Sequence, residues 1–421
     1  MIIYGMERLA YYPRDFEDDL PENTKIDARS LNQLRSVLFG GKNWDAFSLL
    51  IEGDKFNNLT LENNNETLQK YPQVSFFAHP RAIFKTPVFY DLSLAYVNYW
   101  RVEGTRAQRL DALPTISYPM RVFQVLKVTP EVGYRETYYR TYHSVDEELN
   151  GSKERGAFQA GVEVSAEAYR VWTSPRDSWI YDLTGISRWM HTLEPFVGYG
   201  YSQKVSQEDL PAFGAVDRLP YRNEILYGFT QRFLGKVEKD RVGLGSYEYL
   251  RLKVAQGYSL GDPYEVTRDG PKRYFSNIQG ELWMNFNPYL SFRGNAELNP
   301  YRWEFDILDA LIRIKDRRED TLQVEYRYTR GKIEQLNLYA KVKTFQPLYL
   351  YGGVRYNLLD KWRVESSYGA LYQSQCWSAG VLVEDINQSP DGSQKKELKV
   401  QALVTLTGIG SLGHRPRIMD L

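Results

Sequence analysis

Any chemistry in this chain must come from very few side chains. The histidines are His79, His143, His191 and His414, and Cys376 is the single cysteine. A metal site needs ligands at converging spacings, such as His-Glu-x-x-His or paired cysteines, and neither is present. His191, Glu194 and Asp182 can be drawn as an acid–base set of the kind a barrel hydrolase places at its rim. The plainer reading makes His191 a strand-entry residue at the membrane surface. No Gly-x-Ser-x-Gly occurs. LTGIGSLG at 406–413 ends a strand and runs into His-Arg-Pro-Arg rather than a helix, which is the wrong setting for a phosphate loop. These residues predict no enzyme, no cofactor and no metal.

The elements that would carry such residues have the period of strands. Across 125–142, Leu126, Val128, Val132, Tyr134 and Tyr138 alternate with Lys127, Thr129, Glu131, Arg135 and Thr137. The same rule runs through 158–171, where Phe158, Ala160, Val162 and Val164 oppose Gln159, Glu163 and Ser165. It recurs at Ile278–Phe286 and at 395–408. Almost nothing helical is available to cover so many apolar strand faces, so the cover predicted is lipid. Tyr at 33 and Trp at 9 residues suit rings placed at two membrane surfaces. A mean hydropathy of −0.51 excludes a bundle of membrane helices, and no run of 18 apolar residues exists. Lys+Arg and Asp+Glu balance at 53 each, so no net charge attracts nucleic acid.

Taken in order, strands are predicted at Ile2–Arg8, within Lys25–Phe39, at Asn43–Glu52, and as a hairpin of Gln73–Phe84 with Pro87–Val102. Arg106–Phe123 pairs next, then 125–142, a polar loop at 143–156, and strands at 158–171 and 188–204. A second long loop, proline- and acid-containing, covers 206–222. Beyond Asn299 the predicted strands are 301–308, 309–317, 321–330, 334–344, 348–358, 362–372, 376–386 and 395–408. The expected fold is therefore all-β: a large antiparallel transmembrane β-barrel of roughly twenty strands, each about 9–16 residues long. Unpaired edge amides are costly in lipid, so the sheet is expected to close or to meet a further segment. Pro130, Pro195 and Pro288 fall inside these strands and predict local bulges. The start, MIIYGMERLAYYPRD, has none of the features of a secretory signal.

Several stretches resemble, in order, the motifs of the LptD family, which assembles lipopolysaccharide in Gram-negative outer membranes. They are ALPTISYP (112–119), VTPEVGYRETYY (128–139), HTLEPFVGYGY (191–201), NEILYGFTQRF (223–233), QCWSAGV (375–381) and LTGIGSLG (406–413). The resemblance implies one barrel domain over residues 1–421, part of a barrel of about 26 strands whose signal peptide, jellyroll and first strands lie outside this chain. It implies passage of lipopolysaccharide from an LptA-type periplasmic bridge protein, contacted through that missing N-terminal domain, around an LptE-type plug lipoprotein. Release into the outer leaflet would be sideways through a strand seam. The seam strand is then 395–408 with its glycine-rich end: Leu398, Val400, Ala402, Val404, Leu406, Gly408 and Gly410. In the family, the cysteine motif matched at Cys376 is disulfide-linked to the N-terminal domain. A simpler role for Cys376 is a small buried residue near the rim.

Arg251, Lys253, Arg327, Lys341, Lys343, Arg355 and Lys399, with Glu325, alternate with apolar residues and are expected to face the lumen. Such charges suit a passive porin equally. A solute channel needs a constricting loop and no plug partner. A rim hydrolase and a soluble all-β protein are the other readings.

Overall fold

The computed structural model describes residues 2–6, 33–58, 63–144, 146–175, 177–178, 181, 186–237, 246–266, 271–287, 289–345, 347–387, 397–406 and 410–413. Among these, regular structure is almost wholly β. The first strands are β1 (Ile2–Met6), β2 (Gln33–Asn43), β3 (Phe47–Asn58), β4 (Gln69–Ala82) and β5 (Phe89–Trp100). Then come β6 (Arg106–Ser117), β7 (Met120–Val122), β8 (Leu126–His143), β9 (Gly151–Ala166), β10 (Ala168–Thr173), β11 (Ile186–Ser202) and β12 (Arg222–Val237). The rest are β13 (Ser246–Ser259), β14 (Ile278–Asn287), β15 (Leu290–Asn299), β16 (Glu304–Lys315), β17 (Thr321–Thr329), β18 (Ile333–Phe345) and β19 (Leu348–Asn357), followed by β20 (Trp362–Gln373), β21 (Trp377–Ile386), β22 (Glu397–Leu406) and β23 (Gly410–Gly413). No described helix is long and apolar enough to cross a membrane.

The chain forms two compact units. One comprises Met1–Ala166, Val197–Leu226 and Tyr258–Pro263; the other comprises Glu167–Phe196, Tyr227–Gly257 and Tyr264–Leu421. Within the first, antiparallel pairing runs from β1 through β6, then from β6 and β7 to β8, and on to β9. Within the second, β10 pairs β11, and an unbroken antiparallel ladder runs from β13 to β23.

The usual partition of side chains is inverted in both units, and this identifies the solvent. In the first unit Leu110, Ile116, Val132, Tyr134, Tyr138 and Phe158 are exposed, whereas Arg109, Asp111, Thr137 and Arg155 are buried. In the second, Leu322, Leu338, Val342, Leu350 and Val354 are exposed, while Gln323, Asn337, Arg355, Glu365 and Glu384 are buried. Each set alternates along its strands with period two. Water penalises such an arrangement, and hydrocarbon against the apolar face favours it.

Several expected boundaries move, each for a physical reason. The second part of the polar stretch 143–156 is strand: Gly151–Gly156 pair with Glu136–Thr141, so the connection is shorter than expected. Its charges misled because Lys153 and Arg155 meet partners on the buried face. Predicted strands 301–308 and 309–317 are one strand, β16, since Asp309 pairs with both Asn295 and Arg327; the turn lies before it, where Trp303 has φ 56°. Arg106–Phe123 divides into β6 and β7, and 158–171 breaks at Glu167. The strand predicted at Asn43–Glu52 is interrupted at 44–46, where β2 turns into β3.

Pro130 makes no bulge against β9, where it pairs with Val162 in unbroken register. On its other side β6 stops at Glu131 and β7 takes over at Val128. The residue without an amide proton thus sits at the gap between two partners, and its carbonyl accepts from Tyr118 at 3.0 Å. Pro195 lies within β11, and Pro288 is outside the described residues.

Candidate functional site

The densest polar cluster grows from the register of four strands. Along β6, Arg109 faces Val97 on β5 and Tyr139 on β8, and Asp111 faces Ala95 and Thr137. Thr137 in turn faces Arg155 on β9, and Tyr139 faces Lys153. Alternation puts all of these on one face, the one opposite Leu110, Tyr138 and Phe158. Tyr99, near the end of β5, completes the row with Ala107 and Thr141.

This wall is covered by the chain's own residues 203–221, which join β11 to β12. Asp217, in a 3-10 turn of Ala215–Asp217, is 0% exposed. One of its carboxylate oxygens accepts from Arg109 Nη1 and from the Tyr139 hydroxyl, each at 2.7 Å. The other accepts from the backbone N–H of Phe213 and Gly214, also at 2.7 Å. Four donors around one buried carboxylate are what such a charge needs in a place without water. The Phe213 ring stacks on Tyr99 with centroids 4.3 Å apart, and Leu210 is buried. Arg155 donates to Gln207 Oε1 and to the Val216 carbonyl at 2.8 Å, and to Thr137 Oγ1 at 2.9 Å. Gln207 also binds both backbone groups of Leu219, so the segment is stapled to itself as well as to the wall. Asp111 is occupied separately, by Arg135 at 2.9 Å and by Thr137.

The sequence suggested 206–222 only as a loop. The signal that it docks was present in Leu210, Pro211 and Phe213, apolar and aromatic residues that a solvated loop has no reason to carry beside an acid.

The seven cations expected to face a lumen share one face of the second unit. Arg251 stacks on Trp283 at 4.3 Å, with Arg293 over the same ring at 4.7 Å. Lys253 stands opposite Glu281, and Arg327 lies 3.7 Å from Asp309. Lys341 and Lys343 stand over Tyr349, Lys343 lies 3.8 Å from Glu319, Arg355 meets Glu365 at 3.2 Å, and Lys399 stands opposite Glu384. The same face carries a buried apolar cluster of Tyr339, Tyr349, Tyr351, Leu371, Leu382 and Leu403. At the turn after β17, Arg330 bonds Asp306 and Glu304, each at 2.7 Å, and the Asp306 hydrogen bond raises the Arg330 pKa above its ordinary value.

Of the predicted seam residues, Leu398, Val400, Ala402, Val404 and Leu406 stand exposed on one face of β22. Gly408 is outside the described residues. Gly410 opens β23, which pairs antiparallel with Leu403–Leu406. Cys376 lies in the turn before β21, free and exposed, and so is not the buried residue of the simpler reading. Two members of the acid–base set have other partners. Glu194 is bonded to Arg232, His191 stacks on Phe233 at 4.4 Å, and Asp182 is outside the described residues. A serine–histidine contact unnoticed in the sequence, Ser48 Oγ to His79 Nε2 at 2.7 Å, is an exposed pair on adjacent strands. Among the described residues no cluster of ligands could hold a metal ion.

Antiparallel strands with lipid-suited side chains on one face and paired charges on the other, found in both units, define a chain of the transmembrane β-barrel class. The comparison with protein families makes this specific: residues 10–362 match the LptD model, described as LPS transport system D, and the chain belongs to that family. It is an integral protein of the Gram-negative outer membrane. The LPS-assembly protein LptD of Shewanella frigidimarina is 22% identical over 442 residues, covering 96% of this chain and 54% of that protein. The LPS-assembly protein LptD of Nitrosospira multiformis is 21% identical, covering 86% and 40% respectively. The chain thus spans about half the length of the curated relatives it matches. The solved siderophore receptor PirA from Acinetobacter baumannii aligns over 88% of this chain and 70% of its own at 7% identity, with a TM-score of 0.35, a likeness too slight to build on.

Proposed function

We propose that this chain is the barrel domain of a lipopolysaccharide-assembly protein. It takes lipopolysaccharide from an LptA-type bridge protein, passes the saccharide along the polar face of its sheet beside an LptE-type plug lipoprotein, and releases the acyl chains between strands into the outer leaflet. No covalent step is involved. The observation that carries this is membership of the LptD family across residues 10–362. The two-faced sheet is consistent with it, since an amphiphile needs a polar route for its sugars and an apolar exit for its tails. In this reading Arg251, Lys253, Arg327, Lys341, Lys343, Arg355 and Lys399 line the polar route. The seam is formed by Leu398, Val400, Ala402, Val404 and Leu406 of β22, with Gly408 and Gly410 following it in the sequence.

The alternative is an outer-membrane solute channel without a lipopolysaccharide role, in which residues 203–221 would serve as the constricting loop. Depleting the protein in its host and following newly made lipopolysaccharide to the cell surface decides between them. The proposal expects surface arrival to fall as the protein is lost. Unchanged arrival, together with ion conductance of the purified chain in planar bilayers, would replace it with the channel.

A further inference from the structure

The wall under residues 203–221 holds more positive charge than its own strands neutralise. Arg135 is matched by Asp111 at 2.9 Å, both on the wall. Arg109 and Arg155 receive no carboxylate from it. Their acceptors come largely from the docked segment: Asp217 for Arg109, and Gln207 and the Val216 carbonyl for Arg155, which keeps only Thr137 on the wall side. Both arginines are more than nine-tenths buried, at 7% and 3% exposed. Each also retains an Nε that has no hydrogen-bond partner among the described residues. Two buried guanidinium groups with donors to spare, beside the Tyr139 hydroxyl, form an acceptor-hungry pocket that a single carboxylate fills incompletely.

The geometry points to an anion-binding site for a phosphate monoester, formed by Arg109, Arg155 and Tyr139 and held shut by Asp217 as an internal stand-in for the ligand. If the segment withdraws, Arg109 Nη1, the Tyr139 hydroxyl, Arg155 Nη1 and the Arg155 Nη2 donor to Val216 lose their acceptors together, adding four donors to the two idle Nε groups. Two positive charges would then face the opened space without the Asp217 carboxylate. A phosphate monoester carries up to two negative charges and three terminal oxygens, which fits both the charge and the donor count; a carboxylate or a neutral sugar fits neither. Beyond these bonds the segment is held by the stack of Phe213 on Tyr99, by the buried Leu210 and Pro211, by hydrogen bonds between Gln203 and Phe158, and by ion pairs of Lys153 with Asp209 at 3.5 Å and Lys204 with Asp262 at 3.1 Å; the ring stack is the hold that can be weakened without touching either arginine. That the phosphate would be borne by a lipid headgroup rests on the function proposed above; the site itself does not.

The test uses the full chain in detergent micelles, with inorganic phosphate and a monophosphorylated glucosamine lipid as probes followed by phosphorus NMR. The wild type is expected to bind weakly. Asp217→Asn, which removes the competing charge and keeps the shape, is expected to bind both probes at least tenfold more tightly. Phe213→Ala, which loosens the segment and leaves Asp217 in place, is expected to show a smaller gain and faster amide exchange across 203–221. Adding Arg109→Gln to Asp217→Asn is expected to abolish the gain. Binding that is the same in all variants, or a gain that survives loss of Arg109, overturns the site. Retained heat-resistant gel mobility identifies variants that have folded, and Phe213→Ala carries the test if Asp217→Asn has not. Tight phosphate binding by Asp217→Asn with unchanged lipopolysaccharide arrival in cells would keep the site and reject the lipid headgroup as its ligand.

Discussion

Arg355 on β19 and Glu365 on β20 stand directly opposite each other, and their charged ends meet at 3.2 Å with side chains 9% and 7% exposed. A pair this buried is costly to break, because the remaining charge keeps its desolvation penalty and loses this partner's opposite charge. Glu365→Gln is expected to lower stability by about 3 kcal/mol. The double change Arg355→Met with Glu365→Leu is expected to recover most of that. Urea unfolding in micelles, followed by tryptophan fluorescence, measures both. A Glu365→Gln protein as stable as the parent would mean that water reaches this pair.

The two faces of β18 make opposite predictions. Leu338 is exposed on the apolar face, and Lys341 stands over Tyr349 on the polar one. Placing arginine at Leu338 is expected to cost about 2–4 kcal/mol if the position lies near mid-membrane, whereas Lys341→Arg is expected to be close to neutral. Equal tolerance at the two positions would be incompatible with lipid on the Leu338 side.

Gly228 has no room for a side chain. A Cβ there would lie 2.1 Å from the Val254 carbonyl oxygen and 2.9 Å from the Phe196 ring. Backbone cannot yield as a flexible side chain does, so Gly228→Ala is expected to destabilise the second unit by about 1–3 kcal/mol. Gly280, with nothing within 4 Å of its would-be Cβ, is the control expected to accept alanine.

The exposed thiol of Cys376 is expected to react to completion with a maleimide in the folded protein, without change in gel mobility on heating. Labelling only after denaturation would show the thiol to be covered.

The alternation of Phe158, Ala160, Val162 and Val164 with polar residues was enough to place β9 in lipid, because a strand's two faces are written in neighbouring residues. Starts and ends were less legible. Nothing in Lys153 and Arg155 says whether such charges face solvent or a docked partner, so local pattern does not mark the start of β9 at Gly151. The Asp217 cluster was illegible for a related reason: Arg109 and Asp217 are 108 residues apart, and no local pattern links them. The polar character of β19 to β22 could be read residue by residue, but the return of β23 onto β22 could not. A glycine-rich stretch permits a turn without specifying where the chain goes next.

The distance along the chain between Arg109 and Asp217 also sets an order of assembly. Strands β5, β6, β8 and β9 are complete in sequence by Ala166, yet Arg109 has no carboxylate to meet, and Arg155 lacks the Gln207 and Val216 acceptors, until residues 207–217 arrive. Until then that patch must stay hydrated, so this part of the wall cannot dry out as an independent early piece. Its final sealing is tied to the insertion of a segment synthesised well after the strands it covers.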